Sequence, residues 1–115
     1  MRVIEFYKTD KNKCPVEIFF DSLTDREVEK ILWILKLIRE LDRIPKQYFK
    51  KMVSKENIWE VRIQIGSRIF RLLGFIHGSN IIILTNGFAK KSQKTPRQEI
   101  KLAESRKRDY MQGAK

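Results

Sequence analysis

The longest regular pattern in the chain is an amphipathic helix in its first third. Thr24 to Glu27 has the form of a capping box, in which two side chains satisfy free backbone groups at a helix start. Apolar residues then recur at helical spacing until Pro45, which cannot continue a helix. They are Val28, Ile31, Leu32, Leu35, Ile38 and Leu41. The pattern predicts a core-building helix without chemistry of its own.

Three stretches with strand character follow in the second half. Residues 58–65 alternate apolar and polar side chains, which is typical of a half-buried strand. Residues 66–67 suit a two-residue turn into a second strand over 68–76, and residues 78–79 suit another turn into a strand that begins at Ile81. The three strands are predicted to form an antiparallel meander.

The remaining elements lie at the two ends of the chain. Residues 3–7 predict a short strand, Pro15 begins a short helix, and Pro96 begins a last helix that runs to about Met111. The order β-α-α-β-β-β-α predicts a single domain over residues 1–115, of the α+β class. The N-terminal strand is expected to join the meander, and the helices are expected to pack on one face of the sheet.

Charge is the compositional feature that narrows the function. The chain has 25 lysines and arginines against 14 aspartates and glutamates, a formal net charge of +11. Six of the 14 acids lie between residues 17 and 40, while residues 46–55 and 90–115 are strongly basic. This asymmetry favours a polyanionic partner, with nucleic acid as the first candidate.

Other compositional features indicate a cytoplasmic protein. No apolar run reaches membrane-spanning length and no signal-peptide pattern begins the chain, so no membrane partner is expected. Cys14 is the only cysteine, which excludes an internal disulfide. The sequence has no metal-ligand cluster and no glycine-rich phosphate loop, so neither a metal nor another cofactor is expected.

The strand register places two arginines side by side. If residues 66–67 form the first turn, Arg62 lies directly opposite Arg71, and both project from the face away from the long helix. The same count across the next turn places Asn86 opposite Arg71. Like charges that face each other weaken a strand pair, so this pairing indicates an anion between the two guanidinium groups. The alternative is that each arginine has its own carboxylate, for example that of Glu60.

The last strand is predicted to leave the sheet at Asn86 and to enter a basic loop that ends at a helix cap, Thr95. The loop lysines are Lys90, Lys91 and Lys94. Phe88 lies beside them, and an aromatic ring next to a cationic groove is a common means of stacking an unpaired base. The alternatives are a solvated basic loop and a phenylalanine that fills the core.

These motifs together resemble one family. The stretches are residues 58–62, with tryptophan, glutamate and arginine; Phe70-Arg71; and residues 86–96, where glycine-phenylalanine-x-lysine-lysine precedes threonine-proline. They are similar to the HigB branch of the RelE-type toxins, which includes phage-derived relatives, and the order of elements agrees over nearly the whole chain. The resemblance implies a RelE-like fold and an endoribonuclease of a toxin–antitoxin pair. Such toxins cut messenger RNA on the ribosome and are held inactive by a helix-turn-helix antitoxin.

The first hypothesis is therefore a metal-free ribonuclease in which the substrate's own 2′-hydroxyl attacks the adjacent phosphate. Arg62 and Arg71 would neutralise the charge that builds on the phosphate, and Lys90 or Lys91 would act as base or acid. The residues expected to bind the substrate are Arg68, Asn86, Phe88, Gln93, Lys94 and Lys107.

Two positions depart from the family pattern. Many relatives have histidine where Asn86 stands and tyrosine where Phe70 stands. Because an asparagine does not transfer protons at neutral pH, the second hypothesis is a non-catalytic RNA- or ribosome-binding module that uses the same basic face. A DNA-binding regulator is disfavoured, since no helix-turn-helix pair with a basic second helix is visible.

Overall fold

A computed structural model describes residues 1–90 and 94–113. Within these ranges the chain forms three helices and a five-stranded sheet in the order β1-β5-β4-β3-β2. The strands are β1 (Val3–Phe6), β2 (Phe49–Lys51), β3 (Trp59–Ile65), β4 (Arg68–His77) and β5 (Ile81–Lys90). The helices are α1 (Pro15–Asp21), α2 (Asp25–Glu40) and α3 (Arg97–Gly113). The predicted α+β class is confirmed.

The long helix α2 begins at the predicted capping box. The backbone N–H of Glu27 donates to the Thr24 hydroxyl at 3.2 Å, and the Glu27 carboxylate accepts from the Thr24 N–H at 2.9 Å. The buried side of the helix carries Ile31, Ile34, Leu35 and Ile38. Burying these side chains supplies most of the helix's stability, because each contributes about 1.5–3 kcal/mol when removed from water.

The predicted meander is confirmed, and two further strands extend it. Gly66 adopts the left-handed conformation of a tight turn, with φ of +58°, and Ile65 pairs with Arg68 as predicted. β1 joins the sheet by pairing parallel to β5. The strand β2 was not predicted, since it lies within a basic stretch; its Phe49 is buried and stacks on Trp59 with ring centroids 4.8 Å apart.

The expectation that all helices pack on one face of the sheet is wrong for α3. The helices α1 and α2 cover the face that includes Leu72, whereas α3 buries Ala103 against the opposite face, which includes Leu73. Both faces of β4 and β5 are apolar, and such strands require cover on both sides. The Tyr7 hydroxyl, which donates to Asp109 at 2.5 Å, helps to hold α3 in place.

The last strand is longer than predicted and contains a β-bulge. Gly74 pairs with Leu84 and Leu73 pairs with Asn86, so Thr85 is the additional residue. The preceding connection also has three residues, 78–80, instead of the predicted two. As a result β5 stays in the sheet to Lys90, where a loop was expected.

Replacing Gly74 with alanine should strongly destabilise the protein. A Cβ atom at this position would lie 2.1 Å from the backbone oxygen of Ile83, and no side-chain movement relieves a backbone contact. We expect Gly74→Ala to lower the free energy of unfolding by about 3 kcal/mol in chemical denaturation. The control is Gly113→Ala, where a Cβ meets nothing within 4 Å. Equal stability of the two variants would contradict this account of the bulge.

Candidate functional site

Three side chains form a row across the sheet on the face that α3 partly covers. Arg62 lies directly opposite Arg71, as predicted. Phe88, not Asn86, lies on the other side of Arg71. The bulge and the longer connection together move β5 by two positions, and because side chains alternate with period two, Phe88 projects from the same face.

Lys90 lies one step further along the same face, opposite Ile69. On the other side of the arginine row, α3 begins to cover the sheet, since its residue Glu99 contacts Asn86. The arginine row therefore lies at the edge of the part of the sheet that α3 covers, where Phe88 packs partly buried against the apolar cluster that includes Ala103. An open pocket of about 190 Å³ adjoins it, smaller than the 300 Å³ or more of most small-molecule sites. Its lining residues are Gln47, Arg62, Ile63, Gln64 and Arg71.

One buried carboxylate serves both arginines. Oε1 of Glu60 lies 3.3 Å from Nε of Arg71 and 3.6 Å from Nε of Arg62, and only 3% of Glu60 is exposed. The alternative considered from the sequence, in which each arginine has its own carboxylate, is therefore wrong for this pair. The two guanidinium groups share a single negative charge and retain a net positive charge.

The same carboxylate holds the start of α3. Its second oxygen accepts a short hydrogen bond from the hydroxyl of Thr95. The helix begins at Arg97, and the Pro96 carbonyl accepts from the Glu99 N–H at 3.1 Å. Thr95 thus links α3 to the arginine pair, a role that the predicted helix cap did not include.

Arg71 is almost completely buried, with 5% of its surface exposed. One of its terminal nitrogens donates to the carbonyl of Phe70 at 2.9 Å, whereas Nε has no hydrogen bond within the described ranges despite its proximity to Glu60. Burial lowers the pKa of Arg71, the Glu60 charge opposes that shift, and the Arg62 charge adds to it. A buried guanidinium beside a second one has unmet capacity for negative charge.

Lys90 is affected by the same group of charges. Burial lowers the pKa of this lysine, and the neighbouring charges of Arg71 and Arg62 lower it further, while Glu60 opposes the shift. This shift is in the direction that favours the neutral amine, the form of a lysine that can accept a proton. The geometry thus combines two fixed cations with one titratable amine.

Comparison with models of known families gives a match over most of the chain. The model of the family described as phage derived protein Gp49-like matches residues 18–108. The chain belongs to the Gp49-like family. This family lies within the RelE/HigB-like superfamily of toxin–antitoxin proteins, which implies an antitoxin partner. Comparison with curated proteins finds no match.

The match includes all the described residues of the candidate site in this Gp49-like protein. In the described part of the chain, no group of three His, Cys, Asp or Glu side chains could hold a metal ion. Over the same residues, no helix has the length and apolar character needed to cross a membrane.

Three residues predicted to bind the substrate of this Gp49-like protein have partners within the fold. Asn86 is buried, accepts from the Thr85 hydroxyl at 2.6 Å and donates to the Glu99 carboxylate at 3.0 Å. Arg68 lies on the opposite face of the sheet, 2.5 Å from the buried carboxylate of Glu27. The third is Lys107.

Lys107 was predicted to grip RNA from the exposed side of the last helix. Its Nζ instead donates to the backbone oxygen of Glu56 at 2.5 Å and lies over the ring of Phe75, 5.6 Å from the centroid. It therefore fastens α3 to the turn before β3. Among the remaining candidates, Lys94 is exposed, while Lys91 and Gln93 lie outside the described residues.

Removal of the Glu60 charge should test its place between the arginines. We expect Glu60→Ala to lower the free energy of unfolding by about 3–5 kcal/mol, because it leaves Arg71 buried without a counter-charge. Glu60→Gln keeps a polar partner for Thr95, so its free energy of unfolding should fall less than that of Glu60→Ala. The measurement is denaturant unfolding.

Added sulfate offers a second measurement on the same variants. If an anion can replace the carboxylate, sulfate should stabilise Glu60→Gln more than it stabilises the parent. The control is Glu29→Gln, an exposed change on α2, with sodium chloride at equal ionic strength. If Glu60→Ala has the same free energy of unfolding as the parent protein, this carboxylate is not the shared counter-ion.

Proposed function

We propose that this Gp49-like protein is a toxin of the HigB branch that cuts messenger RNA on the ribosome as a metal-free endoribonuclease. The proposal rests on one observation: Arg62 and Arg71 lie side by side and share a single carboxylate, next to Phe88 and Lys90. A pair of guanidinium groups with a net positive charge suits a phosphodiester, because each fork can bind two phosphate oxygens.

The proposed reaction is an internal transfer within the RNA. The 2′-oxygen attacks the adjacent phosphorus, the bond from phosphorus to the 5′-oxygen breaks, and the products are a 2′,3′-cyclic phosphate and a free 5′-hydroxyl. In its neutral form Lys90 would accept the proton of the 2′-hydroxyl, and Lys91 is the candidate that returns a proton to the leaving 5′-oxygen. The two arginines stabilise the negative charge that develops on the phosphate oxygens.

The neighbouring residues would hold the substrate. Phe88 is partly exposed beside the arginine row, where its ring can stack on an unpaired base. The exposed Lys94 and the lysine and glutamine at 91 and 93 would contact the backbone, which positions the strand without reading its sequence. Cognate inhibition would come from a helix-turn-helix antitoxin, in keeping with the HigB branch.

One observation favours a second function, a non-catalytic RNA- or ribosome-binding module. Asn86 occupies the position where many relatives have histidine, and both ends of its amide are engaged inside the protein. That position therefore has no group for proton transfer. The two functions use the same face and differ in whether RNA is cut.

The chemical step should depend on Arg71 more than binding does. We expect Arg71→Gln to reduce single-turnover cleavage at saturating protein by about 10²-fold or more, since a fixed charge is lost from the transition state. Affinity for RNA should change much less, because many cations contribute to it. The control is Lys36→Gln, an exposed change on the opposite side of the sheet.

Two further measurements strengthen this test. Arg71→Lys keeps the positive charge and guards against loss of folding in Arg71→Gln, and it should cleave faster than Arg71→Gln. Product analysis should find the 2′,3′-cyclic phosphate. The cleavage rate of the parent protein should be the same before and after treatment with a chelator. Parental cleavage by folded Arg71→Gln would mean that the arginine row is structural.

Growth experiments test the toxin assignment directly. Induced expression in bacteria should arrest growth and shorten translated messages, and Arg71→Gln should relieve both effects. Co-expression of a short helix-turn-helix reading frame beside the gene should also relieve them, since an antitoxin would bind the toxin. If growth continues and messages stay intact while the parent protein is folded and abundant, the nuclease proposal is wrong and the binding-module proposal takes its place.

A further inference from the structure

A second basic pocket lies between the first turns of α3 and the turn before β3. Its volume is about 480 Å³. Three cations line it, together with two apolar side chains and one acid: Lys55, Arg97, Lys101, Val53, Ile100 and Glu104. Val53 is fully exposed, so its surface is available for contact.

The charge of this pocket is not neutralised from within the described residues. Lys55, Arg97 and Lys101 are exposed and make no ion pair or side-chain hydrogen bond with any residue in the ranges 1–90 and 94–113. The one acid, Glu104, accepts a hydrogen bond from Ser54 at 2.6 Å. The pocket therefore carries a net positive charge.

The two walls of the pocket are fastened together. Ser54 is joined to Glu104 as described, and Glu56 is held twice, through its backbone oxygen by Lys107 and through its carboxylate by Arg108 at 3.3 Å. These contacts fix the turn against α3. The cations thus face one another across a preformed space, which lowers the entropy lost when a ligand binds.

The pocket adjoins the candidate site along the chain and in space. Thr95, two residues before Arg97, donates to Glu60, whose other oxygen contacts Arg62 and Arg71. The start of α3 therefore contacts the arginine row through Thr95 and Glu60, and it lines the pocket through Arg97.

We propose that this pocket binds the phosphodiester backbone of the same RNA strand that the arginine row contacts, at nucleotides beyond the reacting phosphate. Lys55, Arg97 and Lys101 contact phosphate oxygens, and Val53 and Ile100 pack against a ribose or a base. This inference rests on the proposed function and extends it, because it predicts a preference for substrates longer than a dinucleotide.

Binding of oligonucleotides that cannot be cleaved tests the pocket separately from catalysis. The probes are 2′-O-methyl RNAs of two and eight nucleotides, and the variant is Arg97→Gln with Lys101→Gln. We expect its affinity for the octamer to fall about tenfold, while affinity for the dinucleotide stays at the parental value. The slope of log affinity against log salt for the octamer should fall in magnitude by about 1.4, since each phosphate contact on a single strand contributes about 0.7.

A matched control separates a specific site from loss of net charge. The double variant Lys36→Gln with Arg39→Gln also removes two positive charges, but from exposed positions on α2, on the other side of the sheet. This control should bind both probes as the parent does. The pocket proposal is wrong if both double variants lose the same affinity, or if the pocket variant loses the same affinity for both probes.

Ribosomal RNA also offers a phosphodiester backbone that this pocket could bind. If the pocket variant binds the octamer normally but no longer sediments with ribosomes, the same-strand inference is wrong. Failure of this inference can also be distinguished from failure of the nuclease proposal. If the parent protein binds the octamer through this pocket but never cuts RNA, the pocket proposal stands and the nuclease proposal is wrong. If the parent cuts RNA and the pocket variant binds the octamer as the parent does, the nuclease proposal stands and the pocket proposal is wrong.

Discussion

The buried carboxylate of Glu60 is the contact on which the candidate site depends. One of its oxygens lies near two guanidinium groups, and the other accepts from Thr95 at the start of α3. An uncompensated buried charge costs several kcal/mol, so Arg71 can remain in its place only with this partner nearby. The same interaction therefore makes the arginine pair tolerable, fixes its position and attaches the last helix to it.

The bulge in β5 decides which side chains stand beside that pair. With Thr85 as the additional residue, Phe88 lies next to Arg71 and Asn86 lies beneath the start of α3. Asn86 thereby becomes part of the support of the helix. An amide is well suited to this place, because it donates to Glu99 and accepts from Thr85 at once.

The two faces of the sheet have different tasks. The face under α1 and α2 is a continuous apolar core, and Arg68 on this face is paired with Glu27. The other face is covered only in part by α3, and at the edge of that cover lie the arginine row and the second basic pocket. Part of the chain's excess positive charge therefore lies at this edge.

Local features of the sequence determined the capping box of α2, the turn at Gly66 and, through the period of two along strands, the pairing of Arg62 with Arg71. Each depends on residues close together in the chain. Tertiary structure decided the rest. The face chosen by α3 followed from strands that are apolar on both sides, and the roles of Arg68 and Lys107 followed from partners 41 and 51 residues away. Such pairings are set by packing of the whole fold, which no local pattern encodes.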